Sequence, residues 1–91
     1  MRVRWTPAAS ADLRAISDYL KGHHPHYHQP TLRKLYDTIR ALKEWPERGR
    51  PGTVDGTREI LFSPLPYIAV YRFKDQTIEV LRIYHVAQYR P

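Results

Sequence analysis

The residues with the clearest chemical potential are five arginines, a histidine and a tyrosine in the second half of the chain. They are Arg48, Arg50, Arg58, Arg72, Arg82, His85 and Tyr89. RNA can be cleaved without a metal ion when a base removes the 2′-hydroxyl proton, cations stabilise the charge at phosphorus and an acid protonates the leaving oxygen. Histidine titrates near neutral pH, and arginine offers a permanently charged fork of donors. The set therefore predicts chemistry on a phosphodiester.

The residue types also suggest individual roles. His85 would be the general acid or base, and Tyr89 would stack on a base or assist proton transfer. Arg58 and Arg82 would stabilise the charge on the phosphate. The remaining cations would bind RNA, namely Arg48, Arg50 and Arg72. Each residue alone could equally have a structural role, such as an ion pair across a sheet, and only their clustering on neighbouring strands favours catalysis.

The spacing of His85 and Arg82 sets a condition on this arrangement. In a regular strand, residues three positions apart face opposite sides of the sheet, and Arg82 would share its side with Val80 and Tyr84. His85 and Arg82 can converge only if the strand ends or bulges around Tyr84–His85.

Other chemistries are not supported by the sequence. The chain has no cysteine, which excludes a disulfide framework, a thiolate zinc site and a cysteine nucleophile. Gly49 and Gly52 lack the spacing of a phosphate-binding loop, and no serine has the context of a nucleophile elbow. Residues 23–28 contain four histidines, but Pro25 and the lack of a carboxylate favour a solvated turn. We therefore expect no metal site and no cofactor.

Length and charge set the scale of the protein. The chain has 91 residues, of which 42% are hydrophobic and 26% are charged, so one globular domain spanning residues 1–91 is predicted. Lys and Arg outnumber Asp and Glu by 15 to 9, and the net charge of +6 favours a polyanionic partner. The N-terminus becomes polar too soon for a secretory signal, and no apolar run is long enough to span a membrane. Both features predict a cytoplasmic protein.

The periodicity of the apolar residues predicts an α+β fold. The expected elements are a strand at Arg2–Thr6, helices from Thr6–Pro7 to Gly22 and from about His28 to Glu44, and strands at Thr57–Phe62, Tyr67–Phe73 and Thr77–Tyr84. Pro30 is expected only in the first turn of the second helix. Short connections between the last three strands indicate an antiparallel meander. The order β-α-α-β-β-β then packs a helical hairpin on one face of a four-stranded, mostly antiparallel sheet.

Both faces of this sheet carry large apolar side chains. Ile68 and Val70 face away from Tyr71, and regular alternation in the last strand places Ile83 opposite Val80. Two helices can cover only one face. Because exposed apolar surface usually marks a partner site, we expect another chain to cover the second face.

Several short segments, taken in order, resemble the RelE/ParE superfamily of bacterial toxins. They are Trp5-Thr6-Pro7, Ala11-Asp12-Leu13 with Tyr19, Gly49-Arg50-Pro51-Gly52, Gly56-Thr57-Arg58-Glu59, Pro66 to Arg72, and Ile78 to His85. The resemblance spans essentially the whole chain. It implies a toxin of a type II toxin–antitoxin pair, bound by a cognate antitoxin that wraps it and would cover the second sheet face.

The superfamily divides by target, and the motifs resemble both branches. RelE-like members cleave messenger RNA, typically on the ribosome, whereas ParE-like members poison DNA gyrase. His85 followed by Tyr89 resembles the C-terminal pair of YafQ-type ribonucleases, and Arg58 falls near basic positions of RelE-like enzymes. By this resemblance, however, an arginine important to RelE would fall at Ile68, and both Tyr71-Arg72 and the stretch from Leu81 to His85 resemble ParE members at least as much.

The sequence thus predicts a toxin, with a metal-independent endoribonuclease acting on messenger RNA as the first hypothesis. A ParE-like inhibitor of DNA gyrase that is not an enzyme is the alternative, and a basic interaction module without toxicity is a third. The expected partners are a cognate antitoxin and either messenger RNA on the ribosome or gyrase, with no membrane.

Overall fold

The computed structural model describes residues 1–89, and the predicted domain of residues 1–91 extends two residues beyond that range. In chain order the elements are β1 (Arg2–Trp5), α1 (Pro7–His23), α2 (Pro25–Ala41), β2 (Arg50–Pro51), β3 (Arg58–Leu61), β4 (Tyr67–Lys74) and β5 (Thr77–His85). The predicted α+β order is confirmed, with the two-residue β2 as an addition. Within the described residues, neither helix is long and apolar enough to cross a membrane.

The strands of residues 1–89 form one sheet in the order β1-β5-β4-β3-β2. β1 lies parallel to β5, and the other neighbouring pairs are antiparallel. Asp75 and Gln76 have positive φ angles of 54° and 58°, the conformation of a two-residue hairpin turn that follows the twist of β4 and β5. The sheet has five strands instead of the predicted four, because β2 is too short to show an alternation in the sequence.

Helix α1 begins where the sequence predicts. The Thr6 hydroxyl accepts a hydrogen bond from the Ala9 N–H at 3.1 Å, and Pro7 occupies the first helical position. These two residues fix the change of direction between β1 and α1. Helix α2 ends at Ala41, slightly before the predicted Glu44.

The histidine-rich segment is helical, so the prediction of a solvated turn is wrong. Helix α2 begins at Pro25, which fits the first turn because its missing N–H would be unpaired there in any case. Only His24 separates the two helices. His28 lies within α2, and its Nε2 is 2.7 Å from the Ser17 hydroxyl of α1. Pro30 lies inside α2 beyond its first turn, where the sequence predicted that it would not be accepted.

Both helices bury an apolar stripe against one side of the sheet, called here the helix face. The buried core consists of Ala9, Leu35, Ile39 and Leu42 from the helical layer and Ile60, Phe62, Tyr67, Ala69, Tyr71, Ile78, Val80 and Ile83 from the sheet and its loops. The opposite side, called here the open face, carries Arg4, Glu59, Leu61, Ile68, Val70, Arg72, Glu79, Arg82 and Tyr84. This face exposes less apolar surface than predicted, since Ile68 is only 2% exposed.

A β-bulge in β5 changes the predicted alternation. Neighbouring residues of β4 pair with Val80 and with Arg82, so Leu81 is an extra residue in β5. The bulge brings Ile83 to the helix face together with Val80, where both are buried. The predictions that Ile83 opposes Val80, and that Arg82 shares a side with Val80, are wrong for this reason.

Candidate functional site

A nearly buried carboxylate organises one half of the open face. Glu59 is only 5% exposed, and its Oε1 accepts a hydrogen bond from Nε of Arg50 at 3.0 Å. Its Oε2 accepts a second from the hydroxyl of Tyr89, in the segment that follows β5. This bond raises the pKa of Tyr89, because it favours the protonated hydroxyl. Glu59 therefore joins β2, β3 and the C-terminal segment.

A second carboxylate, that of Asp12 in α1, holds β5 just after its bulge. Arg82 donates to it from Nε at 2.7 Å and from Nη2 at 3.0 Å, and the Ile83 N–H donates to it at 2.9 Å. The hydrogen bond to Asp12 raises the pKa of Arg82 further. The guanidinium carbon lies 4.9 Å from the centre of the Tyr84 ring, which is 5.1 Å from that of Tyr89. These three side chains form a continuous row on the open face.

A third carboxylate lies at the other end of the open face. Glu79 is 8% exposed and is flanked on neighbouring strands by Arg4 and Arg72. Nη1 of Arg4 is 2.6 Å from one carboxylate oxygen, and Nε of Arg72 is 2.6 Å from the other. The three residues form a cross-strand row that spans β1, β5 and β4.

Arg58 lies on the helix face and holds the loop between α2 and β2. Its Nη1 donates to the carbonyl of Gly49 at 2.7 Å and to that of Glu47 at 3.3 Å. The neighbouring Tyr71 is fully buried; its hydroxyl donates to the Pro46 carbonyl at 2.7 Å and accepts from the Gly49 N–H at 2.9 Å. Burial raises the pKa of Tyr71. The contacts of Arg58 are those of a residue that positions the loop.

His85 also lies on the helix face, at the end of β5. It pairs with Tyr67 across the strands, with ring centres 5.6 Å apart, and its Nδ1 accepts the N–H of Ala87 at 3.1 Å. Both rings line a groove of about 630 Å³ between the helical hairpin and the sheet. Tyr19 and Tyr27 line the same groove and are 52% and 65% exposed. We call this feature the aromatic groove.

The predicted site is divided between the two faces. Its open-face members are Arg50, Arg72, Arg82 and Tyr89. Its helix-face members are Arg58 and His85, and Arg48 is exposed in the loop before β2. The bulge at Leu81 precedes Arg82 and leaves the regular spacing between Arg82 and His85 intact. The two side chains therefore lie on opposite sides of the sheet.

The histidines near the helix junction pack against neighbouring side chains. The ring of His23 stacks on Tyr19 with centres 4.4 Å apart, and His28 contacts the Ser17 hydroxyl. Among residues 1–89, no three histidine or acidic side chains are close enough together to hold a metal ion.

The carboxylates that organise these contacts were not identified from the sequence. Glu59 and Glu79 carried a usable signal, because each interrupts an apolar strand pattern next to hydrophobic residues. A charge in such a position is rarely buried without a partner, which points to the neighbouring arginines. Asp12 carried no such signal, since a carboxylate between apolar helix positions usually faces solvent.

Comparison with known proteins identifies the family. The family model described as the ParE toxin of the type II toxin–antitoxin system parDE matches residues 3–89. Toxin RelE2 of Caulobacter vibrioides is 38% identical over 87 residues, which cover 96% of this chain and 97% of the relative. The chromosomal ParDE system from P. aeruginosa superposes with a TM-score of 0.82 at 30% identity, covering 93% of this chain and 95% of that one. The RelBE2 toxin–antitoxin complex from Mycobacterium tuberculosis gives a TM-score of 0.60 at 25% identity, covering 92% and 95%. Because the family model spans nearly the whole described chain, the protein belongs to the ParE toxin family of type II toxin–antitoxin systems, within the RelE/ParE superfamily.

Proposed function

We propose that this toxin acts by binding DNA gyrase, as ParE-type members of the superfamily do, and that it does not cut messenger RNA. The observation that carries the proposal is the placement of His85 and Arg82 on opposite faces of the sheet. A general acid or base acts on a proton within about 3 Å of its own atom, or through one water. A phosphate bound by the open-face arginines would lie on the side of β5 opposite the His85 ring.

The arginines themselves also favour binding over catalysis. Arg58 donates to two backbone carbonyls of a loop, and Arg82 forms a bidentate pair with Asp12. Stabilising a transition state requires donors aimed at the place where charge develops. Both arginines are instead directed at groups of the chain that they hold in place.

The comparisons support the same choice without deciding it. The matching family model is the ParE one, and the superposition on the P. aeruginosa ParDE system is closer than that on the M. tuberculosis RelBE2 complex. The Caulobacter vibrioides relative carries a RelE name, so messenger RNA cleavage is the outcome against which the proposal is tested.

The test compares the two activities with one pair of variants. We expect the purified toxin to stabilise gyrase–DNA breaks and to leave messenger RNA intact in a translating extract. We also expect His85→Gln to arrest growth as strongly as the unaltered chain. Gln88→Ala, a change in the same part of the aromatic groove, controls for local effects on folding. Messages that are cut by the unaltered toxin and spared by His85→Gln would establish the ribonuclease instead.

We further propose that a cognate antitoxin inserts an apolar segment into the aromatic groove. The solved relatives include toxin–antitoxin complexes, and the groove exposes large side chains that a soluble chain usually covers. Replacing both Tyr19 and Tyr27 by serine should weaken antitoxin binding at least about tenfold and leave growth arrest unchanged. Tyr36→Ser, which removes a 44% exposed tyrosine elsewhere on α2, should leave the affinity unchanged. Equal losses in both variants would count against the groove.

A further inference from the structure

Four exposed cations lie together at the end of the open face farthest from the aromatic groove. Thr77 of β5 lies between Arg2 of β1 and Lys74 of β4. The next open-face residue of β5, Glu79, lies between Arg4 of β1 and Arg72 of β4. The four cations line one recess of about 320 Å³. We call them the basic patch.

The geometry of the basic patch is fixed by the sheet. The two rows of cations are two residues apart along the strands, about 7 Å, and the members of each row are two strand spacings apart, about 10 Å. Glu79 holds the inner two guanidinium groups at 2.6 Å each. Their side chains are nevertheless 67% and 49% exposed, so each keeps further N–H donors directed to solvent.

The charges of the patch are only partly balanced. Glu79 and Asp75 are the two carboxylates that line the recess with the four cations. Within the described residues, Arg2 and Lys74 form no ion pair. Glu79 orients two arginines, and two cations without an ion pair lie beside them. The surface therefore has a net positive charge, and its N–H donors are already in position.

We infer that the basic patch binds the phosphate backbone of duplex DNA. Ten ångströms of duplex carry about six phosphate charges over its two strands, so several phosphates face a patch of this size. The six side chains of the two rows include no aromatic ring, whereas recognition of single-stranded RNA or DNA usually relies on stacking. Contacts to the backbone alone carry no base sequence, so the binding is expected to be independent of sequence.

The inferred DNA binding is a property beyond the proposed action on gyrase. It is tested with duplex DNA in the absence of gyrase. The probe is a fluorescently labelled duplex of about 20 base pairs, titrated with the toxin between 50 and 200 mM salt. If four phosphates are contacted, the affinity should fall about 150-fold over that range, a log–log slope of about −3.6. Replacing Arg2 and Lys74 together by alanine should reduce the slope by about 1.8.

A matched double variant separates the patch from net charge. Arg33 and Lys34 are exposed on α2, in the layer behind the sheet, and replacing both by alanine removes the same charge. This variant should retain the slope of the unaltered toxin. If the first double variant does not fold, Arg2→Gln and Lys74→Gln should each remove about 0.9 from the slope.

Three results would overturn the inference. They are a lack of binding at 50 mM salt, an equal loss in the patch and α2 variants, and tighter binding of an acidic peptide such as poly-glutamate through the same four cations. The last outcome would assign the patch to an acidic protein segment. None of these results bears on stabilisation of gyrase–DNA breaks, which is measured separately.

Discussion

The hydroxyl of Tyr71 should be worth a large fraction of the stability of this toxin. It is fully buried and serves as donor to the Pro46 carbonyl at 2.7 Å and as acceptor for the Gly49 N–H at 2.9 Å. Both partners belong to the loop that leads from α2 into β2. Tyr71→Phe keeps the ring and its packing. It removes the hydroxyl group and thereby both hydrogen bonds.

The size of the loss follows from what is left unpaired. Gly49 is buried, so its N–H loses its partner without access to water and should cost about 2 kcal/mol. Pro46 is only partly buried, and water can replace the hydroxyl at its carbonyl, so we expect about 1 kcal/mol there. The sum of about 3 kcal/mol corresponds to a fall in the melting temperature of about 12–24 °C for a domain of this size.

The assay is urea and thermal denaturation of Tyr71→Phe beside Tyr67→Phe. Tyr67 lies on the same strand and the same face and is 8% exposed, but its hydroxyl forms no hydrogen bond within residues 1–89. We expect Tyr67→Phe to change the unfolding free energy by less than about 0.5 kcal/mol. The amide of Gly49 should also exchange faster in Tyr71→Phe. Equal losses in both variants, or an unchanged Gly49 amide, would refute the reasoning.

Four further substitutions, one of them a control, test the other contacts. Gly49→Ala should cost more than about 2 kcal/mol, because a Cβ there would lie 2.6 Å from the Glu59 carbonyl oxygen. Gly22→Ala, with no atom within 4 Å, should be neutral or stabilise by up to about 1 kcal/mol, and thermal melts compare the two. Asp12→Asn should cost about 1–2 kcal/mol in urea denaturation by removing the charge of a bidentate pair, and an unchanged midpoint would contradict this. Because the pKa of Tyr89 is raised, its contribution to stability is complete below about pH 10 and is lost as pH rises through the folded-state pKa. The alkaline fall in stability, followed by circular dichroism, should be shallower in Tyr89→Phe, and parallel curves would count against the Glu59 contact.

The fold could be predicted because its signals are local and repeated. Thr6-Pro7 marks the start of α1 by a mechanism that depends only on adjacent residues, and the alternation of β4 and β5 extends over several positions. The start of α2 was misplaced because Pro25 is both a helix breaker and a preferred first residue of a helix. The sequence alone does not show which of the two roles this proline has.

The placement of the candidate site depended on features that the sequence does not display. A single extra residue, Leu81, exchanges the faces of everything that follows it in β5, and no residue type marks such a bulge reliably. The contact of Tyr89 with Glu59 depends on how the chain returns over the sheet after β5. Local patterns predict elements well, but the meeting of side chains from distant segments is decided by the packing of the whole chain.

The two proposed binding surfaces make separable demands on the molecule. The aromatic groove lies at the end of β5, beside His85, and the basic patch lies at its start, beside Thr77. The two positions pair with residues seven steps apart on β4, which corresponds to about 23 Å, and the surfaces also lie on opposite faces of the sheet. An antitoxin segment seated in the groove would therefore leave the patch exposed to DNA. On the open face, the arginines near Tyr89 are paired with carboxylates, whereas Arg2 and Lys74 at the far end form no ion pair within the described residues.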